Sequence, residues 1–290
     1  MRTFDEVLAA AKAGDAVSQD LLAQAMEQMG RLDEALSWWM EAAKRGHPGA
    51  HAKLGLWQLV GFQIPQNIAQ GVERIHAAAR AGDDLGLALA CVVDSGGVGV
   101  ERNLRQALDW LVMAAKRGDP RAATQLALLA GLEGDIGPMS QAALAIARAA
   151  DFEPARRILN GARVTAVPVD FDALAAGADL AAFDAPRERE TLSEAPAISI
   201  VRDLLAPELR TYVTALAEPA LKRGMIVNDA GGESVEDVRS NRVMHFGLAD
   251  SDVVLELINH QLAAIAGLPV ENGEGLGVLH YAPGERYAPH

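Results

Sequence analysis

The residues best suited to chemistry lie together in HYAPGERYAPH, from His280 to His290. His290 offers an imidazole that can ligate a metal or move a proton. Tyr281 and Tyr287 offer phenols that can donate hydrogen bonds to an anion. One imidazole does not hold a metal by itself, so partners are required. The elements that must position these groups can be read from the same stretch. Leu276 to Tyr281 reads as a strand, Pro283-Gly284 as a turn with Pro at i+1 and Gly at i+2, and Arg286 to His290 as a returning strand. Strict alternation puts Tyr287 and His290 on opposite faces, so either Pro289 distorts the strand or Tyr287 reaches in from the rim.

Upstream, Pro196 to Val201 reads as a strand, and Asp203 to Glu208 as an acidic helix start with an early proline. Arg239-Ser240-Asn241 follows. Asp250 or Ser251 is then expected to cap an apolar-periodic helix that runs through Ala266 and ends at Gly267-Leu268-Pro269, with Glu274 ahead of the last strand. Together with the pattern Y-x-P-G-x-x-Y-x-P-H, these blocks resemble the prolyl 4-hydroxylase branch of the iron and 2-oxoglutarate dependent dioxygenases. The resemblance implies a double-stranded β-helix, or jelly roll, with flanking helices, of which this sequence holds the front part. It implies that His290 is the first Fe(II) ligand, with an Asp two residues further on and a later His completing the set. Tyr281 matches the tyrosine that hydrogen-bonds the 2-oxoglutarate carboxylate, and Tyr287 the catalytic-site tyrosine beside the iron that faces substrate. The implied cofactors are Fe(II), 2-oxoglutarate and ascorbate, and the implied reaction hydroxylates a peptidyl proline as 2-oxoglutarate is converted to succinate and CO2. The ligands after His290 are not in the sequence, so the chain as given is expected to be an inactive portion of an oxidoreductase.

The first half carries a repeat. Gly46, Gly82 and Gly118 recur every 36 residues, in AAKRGHP, AARAGDD and AAKRGDP, and flanking copies centre on Gly14 and Ala150, giving about five units. Each Gly suits the left-handed position that ends a helix, and Asp15, Asp83, Asp119 or Asp151 can cap the next helix. Pro48 and Pro120 suit its first turn. Apolar residues fall on one face, as at Val72, Ile75, Ala78 and Ala79, and the small pair lets a neighbouring helix approach closely. Asn67 and Asn103, also 36 apart, lie in longer loops. The pattern resembles the Sel-one-like repeat, a relative of the tetratricopeptide repeat, which implies an α-solenoid with a concave protein-binding side.

Composition bounds the rest. The 290 residues allow two domains, and 39 acidic against 26 basic residues give a net charge of -13. That disfavours nucleic acid or an anionic membrane as partner. Cys91, the single cysteine, excludes an internal disulfide and reads as a small packed hydrophobe. No signal-like or membrane-length apolar run is present, so a cytoplasmic protein is expected. Other candidates have simpler readings. His47 and His51 have two-His metal spacing, but His47 stands in the cap slot. Asp250 with Asp252 sits at a helix N-terminus, where acids are common, while Glu271 with Glu274 forms a second carboxylate pair. Trp39 falls on the packing face, whereas Trp38, Trp57 and Trp110 could also line a groove. The expectation is an α + β multidomain chain. Residues 1–160 form an α-solenoid of helical hairpins that recruits a protein or peptide substrate, 161–190 a linker, and 191–290 the front of a dioxygenase domain. The competing expectation is a non-catalytic interaction scaffold.

Overall fold

The computed structural model describes residues 3–131, 136–185, 187–227, 233–234 and 240–287, and for residues 182, 184, 226, 227, 233 and 234 the backbone alone. Arg239 and His290 lie outside the described residues. The chain divides into two compact units, Met1–Ala122 and Ala123–His290. Among the described residues no helix is long and apolar enough to cross a membrane.

Ten helices follow one another along the chain, α1 Phe4–Lys12, α2 Ala16–Gln28, α3 Leu32–Lys44, α4 Pro48–Val60, α5 Ile68–Arg80, α6 Asp84–Gly96, α7 Leu104–Lys116, α8 Pro120–Leu129, α9 Pro138–Ala149 and α10 Glu153–Leu159, in the order of five hairpins; α1 packs on α2, α3 on α4, α5 on α6 and α9 on α10. The repeat glycines adopt the backbone expected of them, with φ of 93° at Gly14, 78° at Gly46, 75° at Gly82 and 95° at Gly118. Asp15, Asp83 and Asp119 cap the following helices, accepting from the amides of Ser18, Gly86 and Ala122. Asn67 and Asn103 cap α5 and α7 in the same way. The fifth pair departs from the expected register. Asp151, not Ala150, takes the left-handed position at φ 59°, and Phe152 stands at the N-cap without a side-chain bond. A short polar side chain tolerates this conformation, so Asp replaces Gly there and cannot also serve as cap.

Small residues set the helix spacing. A Cβ on Gly86 would lie 2.7 Å from the Ala78 Cβ, so α6 rests directly on the small pair of α5. Between α4 and α5 the approach is mutual: a Cβ on Gly55 would lie 2.8 Å from the Gly71 carbonyl oxygen, and one on Gly71 2.8 Å from that of Gly55. Trp39, Trp57, Trp110 and Cys91 are buried in this packing, while Trp38 is half-buried. Two acids are buried with them. The Trp39 indole donates to Asp20 at 3.1 Å and the Trp110 indole to Asp94 at 2.8 Å.

In the second unit α10 packs on α13 (Pro207–Ala217), and α12 (Ala181–Asp184) on α14 (Val253–Ala266). The stretch expected as a linker holds two short helices, α11 (Phe171–Ala176) and α12, with Leu174 and Phe183 buried. Among the described residues strands form three small antiparallel sheets: β1 (Glu190–Glu194) with β2 (Ala197–Ile200), β4 (Ile226–Val227) with β5 (Glu233–Ser234), and the sheet β3-β6-β7 of Lys222–Arg223, Arg242–His245 and Gly277–His280. The peptide bond from Ala195 to Pro196 is cis. The cap of α14 is Asp252, one residue beyond Ser251 and two beyond Asp250, the expected caps. Its carboxylate is buried, accepts from the Leu255 amide at 3.0 Å and from the Tyr212 hydroxyl at 2.7 Å, and so joins α14 to α13. The next amide, Val253, donates to Gln125 of α8 at 3.0 Å.

Three stability outcomes follow from these contacts. Gly71→Ala gains up to about 1 kcal/mol of helix propensity, but it drives a methyl into a backbone oxygen that cannot swing aside. A net loss of about 1–2 kcal/mol is expected from overpacking, read as a lower urea midpoint; an unchanged or higher midpoint refutes the close approach. Tyr212→Phe leaves the Asp252 carboxylate short of a donor and should cost about 1–3 kcal/mol in the same measurement, a loss below 0.5 kcal/mol (about one third of a tenfold change) being the contrary result. Asp83 is raised above its ordinary value by burial first, then by the charges of Asp20 and Asp84, against the Gly86 amide. A raised folded value means the carboxylate form is disfavoured in the fold, and this penalty is relieved as pH falls through that value. Asp83→Asn keeps a capping oxygen, so it should raise Tm at pH 7, with the difference narrowing as pH approaches 3.8; a lower Tm at pH 7 contradicts the assignment.

Candidate functional site

The sheet β3-β6-β7 is the frame for the tyrosines singled out above. β6 and β7 pair antiparallel with Arg242 opposite His280, Val243 opposite Leu279, Met244 opposite Val278 and His245 opposite Gly277. A Cβ on Gly277 would sit 3.0 Å from His245 Nδ1, so the ring lies close over this position. Pairing continues one step past His245, with the Phe246 amide donating to Leu276 at 2.9 Å.

Tyr281 leaves β7 and the chain reverses at once. The Glu285 amide donates to the Ala282 carbonyl at 2.9 Å, Pro283 holds i+1, and Gly284 holds i+2 at φ 90°, the geometry of a type II turn. The Glu285 carboxylate accepts from the Ala282 amide at 2.7 Å and braces the same turn. The return is fastened at Ser240. Its amide and hydroxyl donate to the Arg286 carbonyl at 3.0 and 3.1 Å, and its hydroxyl oxygen accepts from the Arg286 amide at 2.8 Å. On the other side of that strand, the Gly224 amide donates to the Asn241 carbonyl at 2.8 Å, and Asn241 is fully buried. Ser240-Asn241 therefore ties β3 to the returning chain.

Tyr281 and Tyr287 flank the turn, and both are 43% exposed, so each phenol can meet a ligand. His290, the expected metal ligand, lies outside the described residues, as do Ala288 and Pro289. Among the described residues no three of His, Cys, Asp and Glu gather to hold a metal. Those residues alone do not compose an iron site.

The other candidates resolve into structural parts. The His47 ring caps α4, Nδ1 accepting from the Ala50 amide at 3.4 Å. His51 instead faces the Arg74 guanidinium at 3.3 Å, and burial together with that cation holds its pKa below the ordinary imidazole value. A two-His metal face is not what this spacing builds. Asp252 is consumed by its cap and by Tyr212, while Glu271 and Glu274 are exposed. The sequence showed the Arg239-Ser240-Asn241 element but gave Ser240 no role. A hydroxyl that both donates to and accepts from one backbone residue has no periodicity to betray it; its place in that element was the one available signal.

No protein-family model matches the chain. Among curated proteins it is similar to the probable prolyl 4-hydroxylase 7 of Arabidopsis thaliana, 35% identical over 109 residues, which are 37% of this chain and 34% of that protein. Prolyl 4-hydroxylase 1 of the same plant is 34% identical over 103 residues, 35% of this chain and 36% of the relative. Prolyl 4-hydroxylase subunit alpha-3 of Mus musculus is 31% identical over 108 residues, 36% of this chain and 19% of the relative. The chain thus spans about a third of the length of the Arabidopsis relatives it matches. Among solved structures, a Sel1 repeat protein from Oxalobacter formigenes is 25% identical with a TM-score of 0.38, covering 43% of this chain and 97% of that one. A protective antigen of uropathogenic Escherichia coli with an SLR fold is 22% identical with a TM-score of 0.43, covering 55% of this chain and 36% of that one. Over about a third of its length the chain is similar to prolyl 4-hydroxylases, and Sel1 repeat proteins are among its structural neighbours.

Proposed function

We propose that the complete protein is an Fe(II) and 2-oxoglutarate dependent dioxygenase resembling prolyl 4-hydroxylase, acting on a peptidyl proline, with ascorbate keeping the metal reduced. In this reading residues 191–290 begin the oxygenase domain as the front of a jelly roll, 161–190 are the connection, and the helix pairs of 1–160 recruit the protein substrate. The cytoplasm is its proposed location. The observation that carries the reading is the coincidence of two things. One is the 35% identity to a prolyl 4-hydroxylase; the other is a braced strand, turn and return that present Tyr281 and Tyr287 on either side of Pro283-Gly284.

The chain's own groups have distinct parts in this proposal. The Tyr281 phenol donates a hydrogen bond to a carboxylate of 2-oxoglutarate. Tyr287 faces the peptide, and His290 is the first metal ligand. The metal, once held by His290 and ligands outside the described residues, would supply the activation of dioxygen. Ser240 acts one step removed, by fixing Arg286 and hence where Tyr287 points.

Full-length protein given Fe(II), 2-oxoglutarate and prolyl peptides should release succinate in proportion to peptide. If no peptide-dependent succinate appears, the enzymatic reading fails and the non-catalytic scaffold replaces it. Tyr281→Phe should raise KM for 2-oxoglutarate by about tenfold, the worth of one hydrogen bond to a charged group, with peptide KM unchanged. An unchanged 2-oxoglutarate KM removes Tyr281 from its assigned role.

A further inference from the structure

The sheet β3-β6-β7 carries a charge pattern that the fold by itself does not explain. In its register Arg223 of β3 lies opposite Arg242 of β6, and Arg242 lies opposite His280 of β7. Residues directly opposite in an antiparallel sheet share a face. The two guanidiniums and the imidazole therefore stand side by side, in one row across all three strands. Each of these residues is exposed. Two residues along, the next pair on that face is Met244 with Val278, both half-buried, so a small apolar strip borders the row.

Such a row is costly. Like charges directly opposite destabilise a sheet, and β3 is only 2 residues long, so little pairing is present to offset the repulsion. The chain does not neutralise the row either. Among the described residues Arg223, Arg242 and His280 form no ion pair, although acids outnumber bases 39 to 26. Other arginines of this unit are paired, Arg157 with Glu153 and Glu218, and Arg202 with Glu190. In so acidic a chain, an uncompensated row of basic groups is accounted for by an anion that arrives from outside.

We propose that this row docks an extended acidic segment of a partner protein, with carboxylates on alternate residues. Spacing selects that ligand. Neighbouring strands lie about 4.8 Å apart, so the outer members of the row stand about 10 Å from one another at the backbone. One compact anion does not bridge that span. An extended peptide puts same-side side chains about 6.6 Å apart, a distance that long, flexible arginines accommodate. Each guanidinium then matches a carboxylate with two parallel donors. His280 adds a donor in either protonation state, and Met244 with Val278 accepts an apolar residue of the same segment. Nucleic acid and anionic membranes extend their charge far beyond the row and meet the net charge of -13 instead. No residue of the row has a part in the oxygenase reading, so the inference stands apart from it.

The test is fluorescence anisotropy on the whole chain at low salt, with labelled acetyl-Gly-Asp-Gly-Asp-Gly and the same peptide carrying Asn for Asp. The acidic peptide should bind about tenfold tighter than its amide form, the worth of one charge-assisted hydrogen bond. The double variant Arg223→Gln with Arg242→Gln should lose that preference, while its urea midpoint stays equal or rises because repulsion is relieved. Arg105→Gln, at an exposed arginine of the repeats paired with Asp109, should keep the preference. Equal binding of the two peptides, a preference that survives in the double variant, or one lost as fully in Arg105→Gln each overturns the proposal. So does a lower midpoint in the double variant, which would mean that the arginines serve the sheet itself. Displacement of the acidic peptide by an equal concentration of inorganic phosphate also overturns it, because the row would then be a site for one compact anion.

Discussion

Closure of each helical hairpin by a left-handed residue is the constraint on which the rest of the structure depends. In the same form at every pair, one amide bonds back across five residues and the preceding one across three: His47 to Ala42 and Gly46 to Ala43, Asp83 to Ala78 and Gly82 to Ala79, Asp119 to Ala114 and Gly118 to Ala115. The motif satisfies carbonyls that a helix end would otherwise leave bare. It also reverses the chain within two residues, so the second helix must lie against the first. Close contact then requires small side chains directly before the turn, which is why Ala78 and Ala79 meet Gly86 with no room for another methyl. Residue choice at the turn and residue choice on the face are one constraint, and its 36-residue recurrence is what makes the repeat.

Such packing is apolar and repetitive, and by itself it fixes register weakly. Buried polar pairs supply what it lacks. Trp39 reaches Asp20 across 19 residues, Trp110 reaches Asp94 across 16, and the His76 ring contacts the same Asp94 at 3.1 Å while stacking on Trp110. A slip of either helix by one residue would strand a buried carboxylate, at a cost well above that of a lost van der Waals contact.

These pairs mark where sequence reading stops. The glycines, the caps at Asp15, Asp83 and Asp119, and the turn at Pro283-Gly284 were legible because each is a local rule: residue type alone decides the backbone within four positions. Asp20 and Asp94 were not legible, since nothing in their own helices announces an indole from the next one. The fifth repeat failed for a related reason. Ala150 aligned with the glycines by spacing, but the hydrogen bonds Asp151 to Arg148 and Phe152 to Ala147 show the reversal one residue later. Likewise Asp250, Ser251 and Asp252 are equally good caps on paper. The choice fell to Asp252 because Tyr212, forty residues earlier, holds its second oxygen.

The same carboxylate explains how the tyrosines come to be held at all. β6 and β7 are each too short to be stable alone, and both are joined to the region around α14. β6 runs through Phe246 into a turn, where Asp250 and Ser251 bond back to Gly247, and that turn delivers the chain to the Asp252 cap. At the other end α14 closes with Leu268 bonded to Ala263 and Gly267 to Ala264, the same reversal used by the repeats, and the chain proceeds to β7. The helix is thus a fixed spacer between two strands that pair with each other. It is itself anchored to α13 through Tyr212 and to α8 through Gln125, while α13 rests on α10. The last repeat helices therefore act as foundation for the strand, turn and return that carry Tyr281 and Tyr287. A change in that foundation should be felt at the tyrosines without touching them, because a two-residue turn has no slack with which to absorb a displaced strand.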